Sequence, residues 1–101
     1  MIIHQREISY KANYAEFFES LIKLKAHLEK KFPEISVELM YNLAGQRGRA
    51  TIQTRYRSLA DYERIDAEAD RDDEYNKLID SILSATGDLP TDQFYRTIES
   101  S

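Results

Sequence analysis

The sequence has 101 residues, with 14 Lys and Arg against 18 Asp and Glu, two His and a formal net charge of −4. Because 42% of the residues are hydrophobic and single cores commonly form at about 100–150 residues, we expect residues 1–101 to be one domain. The absence of cysteine excludes disulfides, thiolate metal sites and a cysteine nucleophile. A membrane-spanning helix needs about 20 consecutive apolar residues, and no apolar run in the sequence approaches that length. The first residues also lack the pattern of a signal peptide. We therefore expect a cytoplasmic protein that does not contact membranes.

The first predicted elements are a strand over residues 2–10 and a helix over residues 14–32. Alternation places His4 and Arg6 on the strand face of Ile2, Ile8 and Tyr10, and the other face carries Ile3, Gln5, Glu7 and Ser9. The pattern leaves open which of these faces points into the core. Asn13, followed three residues later by Glu16, predicts the start of the helix, and Pro33 predicts its end.

Two alternating segments follow, over residues 35–43 and 49–57. Each has an apolar face and a polar face with a period of two, which is typical of half-buried strands. The connection over residues 44–48 contains Gly45 and Gly48, which are able to adopt positive φ, so the pair is predicted to be a hairpin.

The second helical region begins at Ser58, a predicted N-cap, and Gly87 is predicted to end it. The apolar positions before and after residues 70–73 are out of phase by about a third of a turn. We therefore predict a break there, with Asp72 or Asp73 capping a new helix. A last short strand is predicted over residues 92–99, with Phe94 and Tyr95 on opposite faces.

The order strand, helix, strand, strand, helix, strand predicts an α+β protein of the ferredoxin-like, βαββαβ type. In that arrangement two helices cover one face of a four-stranded antiparallel sheet. The acidic segment over residues 58–80, with nine acidic and three basic side chains, is interpreted as solvated helix surface.

Few residues form a pattern that carries chemistry. His4 and His27 lack the converging partners that a metal needs, and no serine nucleophile motif or phosphate-binding loop is present, so we predict no metal and no cofactor. An RNA-recognition domain has the same element order, but residues 47–54 lack the three aromatic positions on which bases stack. We therefore expect no nucleic-acid partner.

The remaining candidate is the polar sheet face, which is either solvated, or covered by a second subunit, or a pocket for a small ligand. We predict that its site residues are His4, Arg6, Glu38, Met40, Asn42, Gln53 and Arg55. If this face is a pocket, Arg55 should be partly buried near an acidic group, because an unpaired buried guanidinium is costly.

The segment Arg55–Arg64, which contains Ser-Leu-Ala-Asp, and the later Asp73–Tyr75 resemble the corresponding stretch of NIPSNAP-like proteins. The Arg6–Lys11 and Ala15–Phe17 segments are similar to that family's first strand and helix start, although Ala and Asn follow Lys11 where the family often has Pro and Gly.

The resemblance implies a dimeric α+β barrel, a homodimer formed by pairing two sheet faces. It implies a protein that binds a small polar or aromatic ligand between the sheet and the partner subunit. The alternative that it implies is a cofactor-independent monooxygenase or isomerase of the antibiotic-biosynthesis type, with Arg55 or Arg6 holding an enolate and His4 or a tyrosine moving a proton. The haem-degrading members of the group use a Trp, which this chain lacks.

Overall fold

The computed structural model describes residues 1–11, 14–45, 48–86 and 89–98. Four strands and three helices follow one another in the order β1, α1, β2, β3, α2, α3, β4. Their bounds are β1 Ile2–Ser9, α1 Tyr14–Lys31, β2 Ser36–Tyr41, β3 Arg49–Tyr56, α2 Leu59–Asp70, α3 Asp73–Ser84 and β4 Thr91–Arg96. The strands form one antiparallel sheet in the order β2-β3-β1-β4, which confirms the predicted ferredoxin-like α+β class.

The hydrophobic core lies between the helices and one face of this sheet. Phe17 and Leu24 of α1 and Ile65 of α2 are almost fully buried, as are Ile8 of β1 and Ala50 of β3. Gly45 and Gly48 have φ values of +79° and +77°, so both hairpin glycines occupy the left-handed region as predicted.

The predicted break in the second helical region is confirmed. Residue Asp72 is the N-cap of α3, and its Oδ1 accepts a hydrogen bond from the backbone N–H of Tyr75 at 3.1 Å. Its Oδ2 accepts hydrogen bonds from Nε2 of His27 at 2.8 Å and Nζ of Lys31 at 2.7 Å. The side chain that starts α3 therefore also ties the break to α1. Ser58 caps α2 as predicted.

Several predicted boundaries differ from the structure. The second strand ends at Tyr41 rather than residue 43, and Leu43 is exposed beyond it. The last strand ends at Arg96, and Ile98 is fully exposed. Leu43 lies beyond the end of β3 and Ile98 lies beyond the end of β1, so neither residue has a paired residue in the neighbouring strand. The predicted cap at Asn13 and helix end at Gly87 lie outside the described residues.

The register decides which face of β1 points to the helices. His4 lies opposite Thr54 of β3 and Phe94 of β4, and Arg6 lies opposite Ile52 and Asp92. Side chains that face one another across neighbouring strands project from the same side of the sheet. His4 and Arg6 are therefore on the helix side, whereas Gln5, Gln53 and Glu38 are on the uncovered side, here called the open face.

Across residues 1–11, 14–45, 48–86 and 89–98, no helix is both long enough and apolar enough to span a membrane.

Candidate functional site

A cavity of about 180 Å³ lies between the helix side of the sheet and the helices. Strands β1, β3 and β4 form its floor, and α2 and α3, with part of α1, form its roof. The polar and aromatic side chains that line it include His4, Arg6, Tyr62, Tyr75, Asp92 and Phe94. Aliphatic residues such as Ile52 and Ile65 close its inner end. The cavity is a mixed apolar and polar site at the edge of the core.

The polar side of the cavity is built from Arg6, Asp92 and His4. The Arg6 guanidinium donates to both carboxylate oxygens of Asp92, from Nε at 2.7 Å and from Nη2 at 3.2 Å. The Nε2 atom of His4 lies 2.8 Å from Oδ1 of the same carboxylate. Because the register places Arg6 directly opposite Asp92, the backbone itself brings the pair together.

The Arg6–Asp92 contact stabilises the charged form of both partners. The hydrogen bond from Arg6 lowers the pKa of Asp92 below its ordinary value, and the bond to Asp92 raises the pKa of Arg6. The two groups therefore stay ionised, and their charges cancel at the cavity wall.

Aromatic rings form the rest of the wall. The His4 ring is stacked on Phe94, with centroids 4.6 Å apart and an angle of 13° between the planes. Tyr62 meets Phe94 edge-on at 5.1 Å and Tyr56 edge-on at 5.2 Å. Burial raises the pKa of Tyr56, Tyr62 and Tyr75 above the ordinary tyrosine value, so these phenols are neutral near pH 7.

The structure divides the seven residues predicted for the site between two places. Only His4 and Arg6 line the cavity. The register puts Glu38, Met40 and Gln53 on the open face, and Arg55 is on that face too. The seven residues therefore do not share one face, and their role in binding a ligand stays a prediction.

Asn42 lies just beyond β2, where its backbone N–H donates to the carbonyl of Arg49 at 3.1 Å.

The open face has a row of polar side chains, and a smaller cavity of about 110 Å³ lies beside Gln5. Gln5 donates to Gln53 at 2.6 Å, and Gln53 donates to Glu38 at 3.4 Å. Arg55 is exposed, and its Nη1 lies 4.0 Å from the sulfur of Met1. The pocket interpretation of this face required Arg55 partly buried beside an acid. In a single chain it is solvated instead.

Sequence reasoning missed Asp92, Phe94, Tyr62 and Tyr75 as site residues. The signal for two of them was present, since a fourth strand paired with β1 in register aligns Phe94 with His4 and Asp92 with Arg6. The tyrosines carried no such signal, because their spacing also fits an ordinary core helix face. Among the described residues, no three His, Asp or Glu side chains converge as metal ligands.

No protein-family model matches the sequence, and no curated protein matches it. Solved structures do match the fold. A Caulobacter crescentus protein provisionally assigned as an antibiotic biosynthesis monooxygenase superposes with a TM-score of 0.83 at 15% identity, covering 97% of this chain and 90% of that one.

Two further structures show the same similarity. An uncharacterized NIPSNAP domain protein from Burkholderia xenovorans has a TM-score of 0.79 at 10% identity, covering 97% of this chain and 95% of that one. SnoaB, a cofactor-independent oxygenase from Streptomyces nogalater, has a TM-score of 0.74 at 9% identity, covering 98% of this chain and 94% of its own. The chain therefore has the fold that NIPSNAP domain proteins share with these oxygenases, as its sequence resemblance implied.

Proposed function

We propose that this protein binds a small hydroxylated aromatic molecule in the cavity between the sheet and the α2–α3 helices. The observation that carries the proposal is the combination of an aromatic wall with a charge-neutral Arg6–Asp92 pair in one cavity. Flat rings offer stacking and edge contacts to another ring, and the paired charges offer hydrogen bonds without demanding a charged ligand.

The size of the cavity favours a ligand with one ring. Its volume of about 180 Å³ is close to that of an engineered apolar cavity of about 150 Å³ that holds benzene. Ligand pockets for larger molecules usually measure about 300–1,000 Å³. A fused multi-ring substrate would not fit inside this cavity as it stands.

The polar wall favours a hydroxyl group on that ring. Arg6 uses two of its five N–H donors on Asp92, and donors on the guanidinium remain. The Asp92 carboxylate, with its several lone pairs, retains acceptor capacity. A phenolic hydroxyl placed there accepts from the guanidinium and donates to the carboxylate, so one group satisfies both.

Isothermal titration with 4-ethylphenol and ethylbenzene tests the proposal. We expect 4-ethylphenol to bind, and to bind roughly fivefold more tightly than ethylbenzene, because one added hydrogen bond contributes about 0.5–1.5 kcal/mol. The absence of 4-ethylphenol binding at millimolar concentration would contradict the proposal.

Two neighbouring residues of β4 provide matched variants for this titration. The Phe94→Ala variant removes an aromatic wall of the cavity, whereas Tyr95→Ala removes an aromatic side chain from the opposite face of the same strand. We expect weaker binding only in the first variant. Equal weakening in both would show that the ligand binds elsewhere.

A second candidate is cofactor-independent oxygenation of such a ligand, and the contact between His4 and Asp92 favours it. The carboxylate holds the Nε2 side of the ring, which leaves Nδ1 of His4 as the acceptor for the proton of a bound phenol. In the overall balance, a phenol and O2 yield a quinone and water, with the ring supplying all four electrons. Oxygen uptake that is lost in His4→Gln supports this candidate, and binding without oxygen uptake rejects it.

We further propose that the protein is a homodimer formed by pairing two open faces. No helix covers that face among the described residues, and it carries the exposed apolar side chains of Met40 and Tyr95 beside the polar Gln5–Gln53 row. A twofold interface would bury both types of residue. The single-domain description of residues 1–101 and the cytoplasmic location stay predictions of the sequence.

Sedimentation at tens of micromolar protein tests the dimer. We expect a mass of two chains for the unmodified protein and a shift toward 11.8 kDa for Met40→Asp, which places an unpaired charge in the interface. As control, Leu59→Asp introduces the same charge at the exposed start of α2, where the helix dipole favours a carboxylate. An unmodified protein that sediments near 11.8 kDa would overturn the dimer.

A further inference from the structure

The cavity contains one carboxylate that the Arg6–Asp92 pair does not neutralise. Asp66 of α2 lines the cavity, and it lies one helical turn after Tyr62, on the same side of the helix. Within the described part of the chain, no side chain forms an ion pair or hydrogen bond with the Asp66 carboxylate. Its negative charge is thus available to a ligand.

The charge balance of the cavity is consequently negative. The charged groups that line it are Arg6, Asp66 and Asp92, which together leave one negative charge when His4 is neutral. The Asp66 charge also acts on Tyr62: burial raises the pKa of Tyr62, and the Asp66 carboxylate raises it further. An anionic ligand would be repelled by this wall, and a cation would be attracted.

The ring walls add a second attraction for cations. The faces of Tyr and Phe rings carry negative charge density, and an ammonium group over such a face is attracted to it. Tyr62 stands beside Asp66 along α2, so a cation near that carboxylate also meets an aromatic ring. A carboxylate and aromatic rings in one cavity are the groups that recognise an amine.

We propose that the cavity selects a hydroxylated aromatic amine, with its ammonium group between Asp66 and Tyr62 and its hydroxyl at the Arg6–Asp92 pair. This inference rests on the proposed function and narrows it to one ligand class. It also disfavours the enolate ligand that the family resemblance implied for Arg6, because a second anion would face Asp66 and Asp92 together.

Titration with three probes of similar size tests the selection. Tyramine carries an ammonium group, 4-ethylphenol is neutral, and 3-(4-hydroxyphenyl)propionate carries a carboxylate. We expect tyramine to bind roughly tenfold more tightly than 4-ethylphenol, and the propionate to bind most weakly. The preference for tyramine should fall as salt is added, because ions screen an exposed carboxylate.

Two aspartate variants separate the contribution of Asp66 from the general negative charge of the protein. We expect Asp66→Asn to reduce the preference for tyramine over 4-ethylphenol by roughly threefold, since it removes one exposed charge. As control, Asp80→Asn makes the same change at an exposed position of α3 that does not line the cavity, and it should leave the preference intact. Both positions are exposed, so circular dichroism should show an unchanged fold.

The outcomes distinguish this inference from the proposed function. If 4-ethylphenol binds but tyramine binds no more tightly, the amine selection is overturned and the proposed function stands. If the preference persists in Asp66→Asn, the assignment of the ammonium site is overturned. If none of the three probes binds, the proposed function fails and the selection fails with it.

Discussion

The helix side of the sheet has two halves that differ in packing. Under α1, Phe17 and Leu21 belong to the same hydrophobic cluster as Val37 of β2 and Ala50 of β3, and all four are almost fully buried. Under α2 and α3, the cavity is lined by residues of β1, β3 and β4, and Phe94 of β4 remains 51% exposed. All six residues of β4 are exposed, although the strand is fully paired with β1.

The difference places the closely packed core in one half of the protein and the proposed binding cavity in the other. The first half has almost fully buried aliphatic and aromatic side chains at its centre, so it supplies the burial that stabilises the chain, and its open apolar groove of about 250 Å³ lies at the β2 edge. In the second half, the central positions of β1 are His4 and Arg6 rather than aliphatic residues, and no helix packs extensively on β4 in the described part of the chain. Space that a larger core would have filled is left as a cavity.

The largest expected effect comes from removing one phenyl ring from each half. We expect Phe17→Ala to lower the free energy of unfolding by about 3–5 kcal/mol, because it leaves a void in a close-packed core. Phe94→Ala should lower it by about 1 kcal/mol, since half of that ring is already in water. Urea unfolding of both variants measures the difference.

Phe17→Leu is the milder variant to use if Phe17→Ala does not fold. Equal losses of stability for the Phe17 and Phe94 variants would mean that the two halves are packed equally well, and the comparison would fail.

A smaller effect is expected at Asp72, which joins the two halves by linking the α2–α3 break to α1. Hydrogen bonds from Lys31, His27 and the Tyr75 N–H hold the pKa of Asp72 well below its ordinary value. We expect Asp72→Asn to lower Tm by a few degrees at pH 7, because asparagine still caps the helix but carries no charge for Lys31 and His27.

The sign of the pH dependence follows from the lowered pKa. The stabilisation is fully present above the unfolded-state pKa of about 3.9, and it is lost as the pH falls toward the lower folded-state pKa. The difference in Tm between the unmodified protein and Asp72→Asn should therefore shrink below about pH 4. As control, Asp73→Asn makes the same substitution at the exposed residue that follows Asp72. A difference that does not change between pH 7 and pH 3 would contradict this role of Asp72.

The amino-acid sequence by itself determined the order of elements and the position of the helix break. The apolar positions on either side of residues 70–73 cannot share one helix face, so a break was required there whatever the tertiary packing. The strands around the hairpin were equally clear, because their alternation and their glycines follow local rules. The fold class follows from that order of elements.

Only the tertiary structure decided the composition of the site. Alternation put His4 and Arg6 on one strand face with Ile2 and Ile8, but it did not state whether the helices cover that face. The packing of the helices against Ile8 and Ile52 settled this, and the pairing of β1 with β4 aligned Arg6 with Asp92, a residue 86 positions away. Contacts at such separation depend on strand register and helix placement, and those depend on the packing of the whole core rather than on any local pattern.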